Sequence, residues 1–401
     1  MNECLKGIRV ADFSWAWAGP YATMLLALLG AEAIKIESQA RLDHVRLRAL
    51  GFGLFRGADR SPFFNDLNLN KLSITLNLSQ PEGAELAKRV VALSDVVVQN
   101  MRPGVMDRLG LGYDALSKVK PDIIYLSSSA CGTTGPERGY VGYAPTFGAL
   151  GGAIYLNGYP DGPPQMTMGS IDLRSAATAA FAILAALCHR QRTGQGQHID
   201  LSSQETIAAL VQDAIMDYTM NKRNQTRKGN QDDIMAPHNC YRCGDGKWIT
   251  IAVATEEEWK AFCQAIGDPA WTSDERFCDA YQRRNNQEEL DERVQEWTMT
   301  HSAYEVMELL QAAGVAAAPS LNSEGLHKDP HLRERSCFQE VDHPVMGKRV
   351  VVAPHWKFSH TPASICQPAP LLGEHNEYVF GELLGMSPAE MEELAQRGVI
   401  Y

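Results

Sequence analysis

The chain lacks the marks of several protein classes. No Gly-x-Gly-x-x-Gly follows its first candidate strand, and no glycine-rich loop ends in Gly-Lys-Ser/Thr. Dinucleotide and triphosphate chemistry are therefore without their usual phosphate cradles. There is no Gly-x-Ser-x-Gly elbow, which removes the commonest serine-hydrolase signature. His238-Asn-Cys240-Tyr-Arg-Cys243 offers one Cys-x-x-Cys and one His but no second pair at zinc spacing. It reads as a turn before a strand, and no metal site is expected. A formal charge of -11 argues against nucleic acid and anionic membranes as partners. Met1-Asn-Glu-Cys-Leu-Lys6 has neither the basic nor the apolar part of a secretory signal, and no apolar run reaches a membrane span without polar interruption. The 9 cysteines are odd in number and scattered, which fits reduced thiols in a cytoplasmic protein. No internal repeat, heptad seam or low-complexity tract occurs.

What is present is an ordinary globular composition, 45% hydrophobic over 401 residues, with ample core for two domains. Ile8–Phe13 reads as a strand, Gly19-Pro20 opens a helix that Gly30 closes, and Ala33–Glu37 is a second strand. This short strand–helix–strand unit implies a parallel pair. Strands at Ile74–Leu78, Asp95–Asn100, Ile123–Leu126 and His198–Leu201, with helices at Pro81–Leu93 and Tyr113–Lys118, continue the alternation. The expected fold is α/β, with a doubly wound, Rossmann-like large domain and a smaller α+β domain. The expected boundaries are 1–203 for the first part of the large domain, 204–230 for a linker and 231–325 for the small domain. A second linker, 326–345, and a return segment of the large domain, 346–401, complete the chain. Within the small domain, Thr255 with Glu258 and Ser302 with Glu305 have the spacing of capping boxes.

Gly169-Ser-Ile-Asp172 precedes the long run Ser175–Leu187, rich in Ala and Leu, which reads as a buried helix ended by Cys188–Gly194. Asp172 thus falls at or just before a helix N-terminus, where peptide dipoles favour an ionised carboxylate. Asn100-Met-Arg102-Pro-Gly104 and Ser127–Gly132 each follow a strand, and open α/β sheets bind ligands beyond the carboxyl ends of their strands. Lys71, Arg102 and Arg108 are cations placed to meet phosphates. Trp15, Trp17 and Phe147 are apolar side chains suited to an acyl pocket, with Tyr143 beside them.

Taken in order, these motifs resemble the class III CoA-transferases, the CaiB/BaiF family. The resemblance is carried by Asp12-Phe-Ser with Ala18-Gly-Pro, Leu29-Gly-Ala-Glu with Ile34-Lys-Ile-Glu37, Asn70-Lys71, Asn100-Met-Arg-Pro-Gly104 and Thr134-Gly-Pro136. Arg192-Thr-Gly-Gln-Gly-Gln197 with Asp200, Leu372-Gly-Glu-His375 and Leu383-Leu-Gly385 complete it. It implies that Asp172 is the nucleophile of covalent catalysis. It further implies that Lys71, Asn100, Met101 and Arg108 line the CoA nucleotide and pantetheine, with Arg102, Ala130 and Cys131 alongside them. CoA thioesters enter as substrates and no cofactor is held permanently. The partners implied are an acyl-CoA and a carboxylic acid, with the chain in an interlocked, ring-like dimer or in a heteromer with a related subunit.

Departures from the family pattern bear on the substrate. Trp17 stands where the formyl-CoA member has a glutamine, Cys131 replaces an aromatic, and Tyr143-Ala144 with Gly148 replaces Tyr-Asp with a downstream Gln. The region around Gly246 lacks the glycine-rich lid of the formyl-CoA member. These point away from oxalate and formate towards a larger, less polar acid. Ser14–Pro20 with Arg41-Leu-Asp43 resembles the benzylsuccinate branch, which implies succinyl-CoA as donor and an aryl- or alkylsuccinate as acceptor. Arg41, Arg46 or Arg174 would then hold the second carboxylate. The family also includes α-methylacyl-CoA racemases, which use His-Asp where this chain has Tyr143-Ala144; a tyrosine near pKa 10 is a poor base at neutral pH.

Overall fold

A computed structural model describes residues 3–47, 57–166 and 170–401. The chain divides into two compact units, one of residues 1–154, 166–223 and 331–401, the other of 155–165 and 224–330.

In the first unit, strands β1 (Arg9–Asp12), β2 (Glu32–Glu37), β3 (Lys71–Thr75), β4 (Val96–Gln99), β5 (Ile124–Ser129) and β6 (Gln197–Ser202) form one sheet. Its order is β3-β2-β1-β4-β5-β6 and every neighbouring pair is parallel. This is the doubly wound topology expected, and it explains the apolar strands, since parallel strands are covered on both faces. The order reverses between β1 and β4, which leaves a crevice beyond their carboxyl ends. Strand β3 begins earlier than expected because Lys71, a residue that reads as loop, pairs with Ala33 inside the sheet.

On one face lies the helix Pro81–Ala92, with Leu86, Val90 and Val91 packed on Ile34, Ile74 and Val97. On the other, the helices Ala18–Leu28 and Ser170–Thr193 meet through Ala22, Leu26, Ala27, Ala176 and Ala179 over Val10, Val96 and Val98. Small side chains at this seam let the two backbones approach the sheet together. The second of these helices spans 24 residues. Contrary to expectation, it is long and apolar enough to cross a membrane by length and composition alone, but its inner stripe lies on the sheet. Its outer stripe, Leu173, Ala177 and Phe181, recurs every fourth residue and is exposed, Phe181 at 73%.

The expected linkers are built structure. Ser202 caps a helix at Ser203–Ala208 by accepting from the Glu205 N–H, and Ile207 packs on Phe147 and Ile171, so residues to 223 stay with the first unit. β10 (Phe338–His343) pairs antiparallel with β11 (Gly347–Val352), and its Val341 packs on Met24 and Leu28. The chain end then covers the exposed edge of the sheet. Thr75 N–H donates to Asn376, Ser73 O accepts from the His375 N–H, and Leu76 bridges Ile400.

The second unit is an α+β body with the antiparallel order β7-β8-β9: β7 (His238–Arg242), β8 (Trp248–Ala252) and β9 (Ala316–Pro319). Its core gathers Ile249, Trp259, Phe262, Leu290 and Val306. Ser302 and Glu305 form the full capping box; at Thr255 only half of it forms, because Glu258 reaches the Ala254 N–H instead. Residues 155–165, expected in the large domain, belong here. Gly229 N–H donates to Gly158 O, and both glycines have positive φ at this close approach.

Candidate active site

The crevice between β1 and β4 is closed by a clamp of backbone and amide groups. Phe13 N–H donates to Val98 O at 2.9 Å and continues the pairing one residue beyond β1. Asn100 then locks the next residue twice: its Oδ1 accepts from the Trp15 N–H and its Nδ2 donates to Trp15 O, each at 2.7 Å. Ala16 follows with φ 64°, a left-handed conformation costly for a residue with a Cβ. Asp43 holds it there by accepting the Ala16 N–H at 3.1 and 3.2 Å. Gly19 is required by space, since a Cβ there would lie 2.3 Å from Ser14 Cβ.

Under this loop lies a buried charge network. Lys71 Nζ donates to Asp12 Oδ2 at 3.0 Å, Pro20 O at 2.8 Å and Asn68 Oδ1 at 2.8 Å. Lys35 Nζ donates to Ser14 O and sits 3.6 Å from Asp43. Arg46 grips Glu37 with two parallel bonds, pairs with Asp59 and stacks on Phe64. Burial pushes the Asp12 carboxyl up, but Lys71, Lys35, Ser14 and Thr23 outweigh it and hold it below its usual value. Burial likewise raises Glu37, and Arg46 brings it below. Burial draws the Lys71 ammonium down to about 8 against the pull of Asp12.

This network corrects two expectations. Lys71 is fully buried and its three N–H donors are taken, so it braces the loop from below and has no donor left for a nucleotide. Arg46 is buried and committed to Glu37 and Asp59, so it is not available to a second carboxylate. Asn100 is a clamp rather than an open ligand. Met101 turns its side chain onto the core, and its N–H is taken by Gln99 Oε1. Arg102 and Arg108 are exposed, the latter beside Gly104, whose added Cβ would meet Nη1 at 3.3 Å.

Asp172 lies in the first turn of its helix rather than before it; Gly169 is outside the described residues. Because this helix feeds parallel β6, its N-terminus lies on the carboxyl side of the sheet, the same side as the clamp. Burial pushes the Asp172 carboxyl up to about 6. The dipole was expected to hold this acid well ionised; desolvation moves it the other way and leaves a more basic carboxylate, still mostly charged at pH 7. Below it Ile171 packs with Phe147 and Ile207, flanked by Ala130 and Ala144. Phe147, expected in a pocket wall, is only 7% exposed and is the floor under the Asp172 turn. Gly148 makes this possible, since its Cβ would meet Ile171 Cδ1 at 2.4 Å.

The turn after β5 is shaped by Asp200, which accepts the Thr133 N–H at 2.9 Å and its hydroxyl at 2.6 Å, with Gly132 at φ 82°. Cys131 stands in this turn with its thiol raised above the usual range by burial and by Glu137. Tyr143 is 69% exposed and meets His44 edge-on at 6.3 Å. Trp17 packs edge-on against Phe63, and Trp15 carries the Arg41 guanidinium over its ring at 5.2 Å. Two buried hydroxyls lie on this side of the sheet, Ser129 in the expected Ser127–Gly132 turn and Ser175, which reads in the sequence only as the start of an apolar run. Ser129 Oγ and Ser175 Oγ have no hydrogen-bond partner, and Ser175 lies one turn beyond Asp172. Only their burial marks them. Among the described residues no three His, Cys, Asp or Glu side chains gather as a metal site.

A doubly wound sheet without a phosphate loop carries a clamped switch-point turn and a helix-borne carboxylate, Asp172, on the same side. The sequence profile of CoA-transferase family III matches residues 5–376, and the chain belongs to that family and is a CoA-transferase, with CoA thioesters as substrates. It is 35% identical over 99% of its length, and 98% of theirs, to two proteins of Chloroflexus aurantiacus. These are a succinyl-CoA–D-citramalate CoA-transferase and the beta subunit of a succinyl-CoA–L-malate CoA-transferase. A crystal structure of a CAIB/BAIF family protein from Brucella suis superposes with a TM-score of 0.87 at 29% identity, covering 96% of this chain and all of that one.

Proposed function

We propose that this enzyme moves CoA from succinyl-CoA to a second dicarboxylic acid, a substituted succinate of the aryl- or alkylsuccinate kind, through covalent intermediates on Asp172. The observation that carries the covalent route is the half-buried carboxylate of Asp172, raised by desolvation, at the carboxyl end of the sheet. Its oxygen attacks the thioester carbonyl, the C–S bond breaks, and CoA thiolate leaves a mixed anhydride. The thiolate attacks the aspartyl carbonyl of the anhydride and expels succinate, giving an Asp172–CoA thioester. An acceptor carboxylate then reverses the two steps. The free N–H groups of the helix's first turn favour each oxyanion. Both Chloroflexus relatives are named for succinyl-CoA and a dicarboxylic acceptor, which supports the substrate class.

A cytoplasmic dimer is part of the same proposal. The exposed stripe Leu173–Phe181, with Ile215, Met216 and Met220 also exposed, gives the first unit an apolar surface suited to a second chain. One relative is named as a subunit, which keeps a related partner chain in view. The racemase alternative lacks its His-Asp pair, Tyr143-Ala144 standing there, and the exposed phenol meets the His44 ring edge-on. The test is chromatographic. With succinyl-CoA and benzylsuccinate, malate or citramalate, the enzyme should yield the acceptor's CoA thioester and free succinate in equal amounts. Thioester formation only from monocarboxylic acids would refute the substrate class.

A further inference from the structure

Around the loop after β1, three buried cations are consumed. Lys35, Arg46 and Lys71 are buried and satisfied by Asp43, Glu37, Asp59, Asp12 and backbone carbonyls. Arg41 is different. It is exposed, has no carboxylate partner among the described residues, and rests its guanidinium on the face of Trp15. A guanidinium held over an aromatic face keeps its in-plane N–H donors for other partners, and those donors can receive a carboxylate with two bonds. The backbone that carries this ring is held, because Asn100 takes both the N–H and the carbonyl of Trp15 at the switch point.

A chain of contacts links the same segment to the turn that carries Asp172. Two residues on, Asp43 holds Ala16; next to it His44 meets Tyr143, the residue that precedes the helix Ala144–Leu150; and Phe147 of that helix supports Ile171, the neighbour of Asp172. We infer that Arg41, stacked on Trp15, binds the non-reacting carboxylate of the acyl group and sets the enzyme's selectivity for dicarboxylic over monocarboxylic acids. This rests on the transfer reading above and names the residue that selects its substrates. Arg41 is a specificity residue and takes no part in bond making.

The test compares succinyl-CoA with butyryl-CoA, of equal chain length but lacking the second charge, on the whole enzyme and on Arg41→Gln and Arg41→Lys. Calorimetry and steady-state kinetics should show the wild type preferring succinyl-CoA at least tenfold. Arg41→Gln should lose that preference through a higher KM for succinyl-CoA, with butyryl-CoA binding and kcat unchanged; Arg41→Lys should recover part of it. Equal losses for both thioesters would assign Arg41 a structural role and overturn the inference, as would an undiminished preference in Arg41→Gln. Labelling of Asp172 separates the two levels: an adduct with no Arg41 effect defeats only this inference, whereas no adduct from any thioester defeats the transfer reading and this inference with it.

Discussion

Asp172 is held between two opposed influences, its helix start and its burial. A carboxylate at a helix start is ordinarily comfortable, but burial raises this one from 3.8 to about 6. In the mechanism proposed above, the higher basicity makes it a better nucleophile towards a thioester, while at neutral pH most of the enzyme still carries the charged form. The pH profile of kcat/KM should therefore fall below about pH 6, tenfold per unit, as Asp172 takes up its proton. A profile flat from pH 7 to 5 would contradict this. The sign for stability is opposite to that of a salt-bridged acid. A raised folded-state pKa contributes stability below the unfolded value, and that contribution is lost as pH rises through about 6. Asp172→Asn should accordingly abolish transfer yet raise stability at pH 7, by on the order of 1 kcal/mol once partial solvent exposure is discounted. Denaturant melts of the two proteins at pH 7 and pH 5 would show the difference shrinking in acid.

At the level of elements, the loop after β1 is the part whose position matters most, and the charge network beneath it does the positioning. Lys71 is the clearest test. As a nucleotide ligand its loss would raise the KM for CoA thioesters in a stable protein. As a buried counter-ion of Asp12, its replacement by Met should destabilise the fold by about 3–5 kcal/mol, since Asp12 would be left charged and unpaired. Urea titration of Lys71→Met decides between the two. Asn100→Ala should unlock Trp15, with a milder loss of about 1–3 kcal/mol for the buried groups it leaves unpaired and a larger fall in kcat. Much of this architecture is legible in the sequence: the strand–helix alternation gives the sheet, Pro20 and Gly30 bound the first helix, and Asp172 falls beside its Ala-rich run. What is not legible is partnership. A lysine written Asn70-Lys71 before a strand looks like a surface charge, and only the fold brings Asp12, Asn68 and Pro20 around it. Arg46 and Arg41 are equally plausible from their spacing; one is sealed against Glu37 and the other lies open on Trp15. Phe147 reads as pocket lining because aromatic type alone does not say which side of a helix faces Ile171.

In the molecule as a whole, the first unit exposes an apolar stripe along the helix Ser170–Thr193. A helix that buries one stripe and shows Phe181 at 73% exposure has surface that a solitary chain would gain nothing by keeping apolar. In the dimer proposed here, Phe181→Glu should weaken self-association and lower the mass seen by light scattering, while leaving the far-ultraviolet circular dichroism unchanged. An unaltered mass would take Phe181 out of the interface. The central claim is the covalent role of Asp172, and it has a direct test. The enzyme is incubated with succinyl-CoA and hydroxylamine, which intercepts activated acyl groups, and its peptides are mapped by mass spectrometry. A hydroxamate on Asp172, absent from Asp172→Ala, is the predicted result; an Asp172 that stays unmodified with succinyl-CoA and with other acyl-CoA donors would contradict the account.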